Sequence, residues 1–268
     1  YEHAVTVARS RKIEGPYEVC PDNPILTSSG SPAEQFLQKA GHASLVETPG
    51  GQWYMAHLCG RPVPGTRQCP LGRETAIQRI IWTDDGWPRL RQKGKFPDTE
   101  VETEIQKAAG KEKADQCISE KDDFEKAELK EEWNTLRQPF DETRQSLSVR
   151  PGWLRIYGGM SLNSLFDQTM VARRVQAFSY TAETCMEFCP ESVKQKAGLV
   201  CYYDTKNYLY LNVTWNEEKG CRCIGVECDR NGDIKESMLI SDYICIPDKL
   251  PVKLKVTAHG YKLQFSYS

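Results

Sequence analysis

His42 and Arg73 are the two residues of this chain whose types and positions could do chemistry. An imidazole can hydrogen-bond a carboxylate or orient a water molecule, neutral or protonated. A guanidinium can keep a carboxylate ionised and donate paired hydrogen bonds to hydroxyls. Each has a plainer reading: a satisfied histidine just before a strand, and an arginine paired with a nearby carboxylate such as Glu74. Glu47, Glu74, Asp84 and Asp85 are the carboxylates around them. Asp84 and Asp85 fit turn chemistry, Glu47 closes a strand, and no spacing pairs any two across a pocket, so all four read as structural. Cys221-x-Cys223 with Cys228 lacks the C-x₂₋₄-C pairs and nearby histidine of a zinc site, and reads as ordinary buried thiols.

The elements that must position His42 and Arg73 are two hairpins. Ala43–Glu47 and Gln52–Cys59 read as strands around the turn Thr48-Pro49-Gly50-Gly51. Thr75–Thr83 and Trp87–Leu90 read as strands around Asp84-Asp85-Gly86, with glycines supplying the positive φ that such turns require. Upstream, Val5–Ala8 reads as a strand and Lys12–Pro24 as a loop punctuated by Pro and Gly.

The words Lys39-Ala40-Gly41-His42-Ala43-Ser44-Leu45-Val46-Glu47-Thr48, Trp53-Tyr54, Gly60-Arg61-Pro62, Cys69-Pro70-Leu71-Gly72-Arg73-Glu74-Thr75-Ala76 and Trp82 through Pro88 occur here in that order. Together with Tyr1–Ser10 and Gly15-Pro16-Tyr17 they resemble glycoside hydrolase family 43, in its β-xylosidase branch. The resemblance runs through nearly the whole chain and is weakest at about residues 91–120. It implies an all-β fold: part of a five-bladed β-propeller over residues 1–95, a charged linker over 96–121, and a concanavalin A-like jelly-roll sandwich over 122–268, incomplete at its C-terminus. It also implies inverting hydrolysis of O-glycosidic bonds. One Asp is then the base, one Glu the acid and a second Asp tunes the acid, with room between acid and base for a water. His42 and Arg73 match pocket residues of that family.

No motif of this chain matches the three carboxylates, which the resemblance places upstream of Tyr1, so no catalytic residue is assigned. The sequence begins with Tyr rather than Met and ends inside an alternating strand, which reads as a piece cut at both ends and inactive by itself. The expected substrate is a xylo-oligosaccharide, in xylan breakdown. An α-L-arabinofuranosidase of the same family, acting on arabino-substituted chains, and a non-catalytic carbohydrate-binding or structural module stay open beside it. The short loop Arg61–Gln68 leaves subsite preference open. Trp53, Trp82 and Trp87 have faces that could stack on sugars, but read as packing residues, as do His3 and His57. Tyr202, Tyr203, Tyr208 and Tyr210 fit either a glycan-binding face or a half-exposed sheet.

Composition narrows the classes further. A net charge of −2 and the lack of a basic run interleaved with aromatics exclude a nucleic-acid partner. No apolar run approaches the ~20 residues of a membrane span. The 11 cysteines are an odd number, so at least one is unpaired. Cys20, Cys59, Cys185, Cys201 and Cys245 lie in or beside apolar runs, where a thiol acts as a small hydrophobe and usage leans towards a reducing, cytoplasmic compartment. Asn212-Val213-Thr214 fits a glycosylation triplet but lies mid-strand. No cofactor or metal is expected; an axial calcium ion and a homo-oligomer are left open. In the second half, Leu154–Tyr157, Leu165–Gln168, Ala172–Gln176, Thr181–Phe188, Gly198–Tyr203, Tyr208–Trp215, Val252–Ala258 and Tyr261–Tyr267 read as strands.

Overall fold

The computed structural model describes residues 3–32, 37–92, 94–103, 120–230, 238–239 and 242–268, and every regular element among them is a β-strand. Two compact units emerge: Tyr1–Cys117 with Gln176–Phe178, and Ile118–Val175 with Ser179–Ser268.

In the first unit, β1 (Ala4–Val5) and β2 (Ala8–Arg9) replace the single strand expected over Val5–Ala8. The break has a specific cause. The Asn23 side chain accepts from the Val7 amide and donates to the Val7 carbonyl, both at 2.9 Å, so a side chain occupies the place of a partner strand. β3 (Glu18–Val19) pairs with β2 and β4 (Leu26–Thr27) with β1. The main sheet follows as β5 (Gln38–Glu47), β6 (Trp53–Gly60), β7 (Glu74–Trp82) and β8 (Pro88–Leu90), antiparallel and in that order. Both expected turns form, with Gly51 and Gly86 each at φ +75°. Asp85 closes the second turn by accepting from the Thr83 hydroxyl and the Trp87 amide. Alternation gives the sheet two faces. One buries Met55, Ile80 and Leu90 with Ala40 against Cys20, Ile25, Leu26 and Trp87. Residues 104–119 of the expected linker 96–121 lie outside the described residues. Its first residues are anchored: the Asp98 amide donates to Gln78 at 2.9 Å and Pro97 is buried.

The second unit opens with the short pairs β9 (Asn134–Thr135) with β12 (Val171–Ala172), and β10 (Gln145–Ser146) with β11 (Arg155–Ile156). The strands expected over Leu154–Tyr157 and Ala172–Gln176 shrink to these two-residue ladders, and Leu165–Gln168 forms none. Leu165 and Phe166 are both exposed, so this stretch buries no apolar side chain that would hold a strand. Two larger sheets then form. β13 (Ser179–Met186), β19 (Val252–His259) and β20 (Lys262–Tyr267) make one; β14 (Ala197–Asp204), β15 (Asn207–Asn216), β16 (Cys221–Arg230) and β17 (Met238–Leu239) make the other, with β18 (Ile244–Cys245) also on β16. Register aligns Leu199, Leu211 and Val226 across three strands, then Ala197, Val213 and Ile224. Leu211, Val213 and Ile224, with Leu199 and Val226 packed against them, meet Val252 and Leu254 of the other sheet to form the second core.

Two cysteine expectations are corrected here. Cys221 and Cys245 form a disulfide, because pairing of β18 on β16 brings their Cα atoms to 6.0 Å, within bridging reach. Neither is a free thiol: Cys245 leaves the set on which the reducing-compartment reading rested, and Cys221 is not one of the ordinary buried thiols expected with Cys223 and Cys228. Cys185 is exposed rather than a core hydrophobe. Asn212 of the glycosylation triplet is fully buried in the folded chain.

Candidate functional site

β5 is longer than its sequence pattern implied and starts irregularly. Its register against β6 shifts between Gln38 and Gly41 and again between Gly41 and Ala43, where two residues of β5 oppose one of β6. Lys39 and His42 take left-handed conformations, φ 54° and 49°, that cost a non-glycine residue roughly 1–2 kcal/mol. A bulge of this kind re-aims side chains. Gly41 between them is needed for space: a Cβ there would lie 3.0 Å from the His3 side chain.

The bulge directs His42 into an open cleft of about 310 Å³ lined by His42, Ser44, Ala56, Leu58, Arg73 and Thr75, with His57 beneath. Arg73 enters from the turn before β7, which closes with the Gly72 amide donating to the Cys69 carbonyl at 3.1 Å and Gly72 at φ +72°. The two residues singled out in the sequence thus line one cleft, from β5 and from the start of β7, with β6 between them. The salt bridge weighed for Arg73 does not form with Glu74. Arg61 holds that carboxylate through two hydrogen bonds, of 2.9 and 3.3 Å. No described carboxylate pairs with Arg73, so its guanidinium is available to the cleft.

His57 and Gln78 support the cleft floor and are almost completely buried. The His57 Nδ1 lies 3.0 Å from the Leu58 carbonyl, which requires the proton on Nδ1 and leaves Nε2 to accept from the Gln78 amide at 3.3 Å. Burial pushes the His57 pKa below its ordinary value against a smaller opposing effect of the Leu58 carbonyl, so the ring is neutral. Gln78 also donates to the Asp98 carbonyl and accepts from the Gln92 amide, both at 3.0 Å. Every polar atom of this strut has a partner, which makes it a rigid support rather than a reactive group. Gln78 was not singled out in the sequence; its signal is a polar residue at an inward position between Ala76 and Ile80.

The four carboxylates do not converge. Glu74 is tied to Arg61, Glu47 ends its strand exposed, and Asp84 and Asp85 sit in the turn. The Thr83 hydroxyl, with help from the Trp87 amide, holds the Asp85 carboxyl below the usual carboxylate range, as turn chemistry would. Among the described residues no cluster of three or more His, Cys, Asp or Glu side chains could hold a metal ion. The cleft offers the His42 imidazole, a guanidinium and two hydroxyls. Trp87 is a buried core residue with the Arg9 guanidinium 4.1 Å above its ring. Trp53 packs edge-on to Trp82 at 5.3 Å.

The four tyrosines singled out in the second unit lie on β14 and β15. Tyr202 and Tyr208 stack on each other at 6.3 Å, and the Tyr208 hydroxyl donates to Asn163. Tyr203 is exposed at the register shift that ends β14.

Comparison with known proteins brings both units into view. The profile described as glycosyl hydrolases family 43 matches residues 1–88, and that described as beta xylosidase C-terminal concanavalin A-like domain matches residues 121–268. A putative beta-xylosidase of Escherichia coli is 44% identical, over 100% of this chain and 51% of its own length. A Humicola insolens protein named xylosidase/arabinosidase 43B is 38% identical, over 100% of this chain and 48% of its own. The crystal structure of a xylan beta-1,4-xylosidase from Bacillus halodurans superposes with a TM-score of 0.86 at 44% identity, covering 99% of this chain and 49% of that one. The chain therefore spans about half the length of the relatives it matches. The fold class is all-β, with propeller-type sheets followed by a concanavalin A-like sandwich.

Proposed function

Since the chain belongs to glycoside hydrolase family 43, we propose that the His42–Arg73 cleft is a wall of the sugar-binding pocket of an exo-acting β-xylosidase, an inverting enzyme that releases terminal xylose from xylo-oligosaccharides. The observation that carries this reading is the meeting of His42 and Arg73 in one cleft, with Arg73 free of any described carboxylate. In that pocket Arg73 donates paired hydrogen bonds to sugar hydroxyls and keeps a neighbouring catalytic carboxylate ionised. His42, turned inward by the bulge, hydrogen-bonds a carboxylate or the attacking water. Ser44 and Thr75 add hydroxyls for the sugar's ring substituents. The buried His57–Gln78 strut keeps β6 and β7 rigid behind these groups, which is what substrate positioning demands. No carboxylate lines the described cleft, so the chain supplies positioning and electrostatics, not proton transfer.

In the active polypeptide that carries these residues, Arg73→Ala should lower kcat/KM for an aryl β-D-xyloside by about 100-fold or more while leaving the circular-dichroism spectrum unchanged. The 268 residues alone should release no aglycone above buffer. Full activity of the Arg73→Ala variant, or turnover by the 268 residues alone, would overturn the assignment. An arabinofuranosidase is the second reading, favoured by the similarity to a protein named xylosidase/arabinosidase. Its test is the same assay with an aryl α-L-arabinofuranoside.

A further inference from the structure

We propose that Ser28, which does not itself line the cleft, is a positioning residue: its hydroxyl sets the bulge of β5 and, through it, the aim of His42. The inference rests on the reading of the His42–Arg73 cleft given above. It concerns how that cleft is built, not which sugar it takes.

A strand that slips against its neighbour leaves backbone groups without a ladder bond, and buried ones need another partner. Between Gln38↔Gly60 and Gly41↔Leu58, Lys39 and Ala40 have no facing residue on β6. Ser28 supplies what β6 does not. Its hydroxyl donates to the Leu37 carbonyl at 2.5 Å and accepts from the Ala40 amide at 3.0 Å, so one oxygen spans the first slip of the strand. Ala40 is fully buried, and without that oxygen its amide would lose its partner in the interior.

Ser28 is itself held in place. The amide and hydroxyl of Ser31 both donate to the Ser28 carbonyl, at 3.1 and 2.7 Å. On its other side the Thr27 amide donates to the Lys95 carbonyl at 2.8 Å and the Thr27 hydroxyl to the His3 carbonyl at 3.0 Å. The His3 side chain in turn lies against Gly41, at the second slip. Left-handed non-glycine residues persist only where their surroundings hold them. Lys39 and His42, at φ 54° and 49°, flank the stretch that Ser28 and His3 hold.

The test uses the active polypeptide that carries these residues and an aryl β-D-xyloside. Ser28→Ala should lower kcat by about tenfold or more and leave KM within about twofold, because the contacts of Arg73 with the sugar remain while His42 is re-aimed. Ser28→Thr and Ser28→Val introduce the same shape, but only the first keeps an oxygen. Ser28→Thr should stay within about threefold of wild type and Ser28→Val should fall as Ser28→Ala does. On a His42→Ala background, Ser28→Ala should lower kcat no further. A crystal structure of Ser28→Ala should show His42 outside the left-handed region. Equal activity of Ser28→Thr and Ser28→Val, an additional loss in the double variant, or His42 still at its left-handed φ in Ser28→Ala would overturn the proposal. If His42→Ala keeps full activity, the cleft reading of His42 fails instead, and the crystal structure alone decides whether Ser28 sets its conformation.

Discussion

The pairing of β5 with β6 and that of β15 with β16 show how one type of structure serves two ends. From Asn207↔Arg230 to Asn216↔Cys221 every residue of β15 has one partner on β16, and the alternation places Leu211, Val213 and Ile224 in an apolar core. From Gln38 to Ala43, β5 slips twice against β6 and puts two non-glycine residues in left-handed conformations. The regular ladder is what packing alone selects. The broken one accepts local strain and turns His42 into a cleft, the kind of irregularity that collects at functional sites. Buried polar groups differ in the same way. In the first unit His57 and Gln78 form a closed network beneath the cleft. In the second, buried Arg222 donates to the carbonyls of Pro247 and Leu250, fastening the segment that the Cys221–Cys245 disulfide also holds.

If the second unit depends on its apolar core, Leu254→Ala should be the most damaging change. Leu254 is fully buried, and the loss should be about 2–5 kcal/mol, read as faster hydrogen exchange in β13 and β19 with β6 and β7 unaffected. Reducing the Cys221–Cys245 disulfide should come next. For a sequence separation of 24 residues the chain-entropy estimate is about 3.5 kcal/mol, and a denaturant melt with and without dithiothreitol measures it. An unchanged melt would show that Arg222 and strand pairing suffice. Gln78→Ala tests the polar strut. It strips partners from His57 and the Asp98 amide, should cost about 2 kcal/mol, and should raise exchange in β6 and β7 only.

A smaller effect is expected from pH. The folded His57 has a pKa below its ordinary value of 6.5, so the unfolded chain takes up the proton first as pH falls. Its contribution to stability is therefore complete above about pH 6.5 and declines below it, by at most about 1.4 kcal/mol per pH unit, until the folded ring also protonates. The difference between wild type and His57→Gln in melts from pH 7 to 5 isolates this slope; identical curves would contradict the neutral, buried assignment. The smallest change should be Glu74→Gln, which weakens an exposed pair with Arg61 and should shift stability by less than about 1 kcal/mol.

Much of the strand pattern was legible because its causes are local. Gly51 and Gly86 read as hairpin turns from their need for positive φ, and the alternation around Tyr208–Trp215 located β15 to within one residue at each end. The strand over Val5–Ala8 was misread because Asn23, distant in sequence, takes both backbone groups of Val7. Cys221 and Cys245 were read as thiols because spacing along the chain does not say which strands will lie side by side. Gln78 passed unnoticed because its three partners come from β6 and from residues 92–98.

By itself the sequence determined the all-β character, the two turns that close the main hairpins, the family, and the identity of His42 and Arg73 as residues to watch. All of these follow from residue type, period-two alternation and the order of short words. Tertiary structure alone decided that β5 bulges at His42, that His42 and Arg73 line one cleft, that Arg61 rather than Arg73 takes Glu74, and that Cys221 bonds Cys245. The reason is physical: register and side-chain partnership are set by which strands meet across a sheet, and that choice is made by burial of the whole face rather than by any residue's neighbours in the chain.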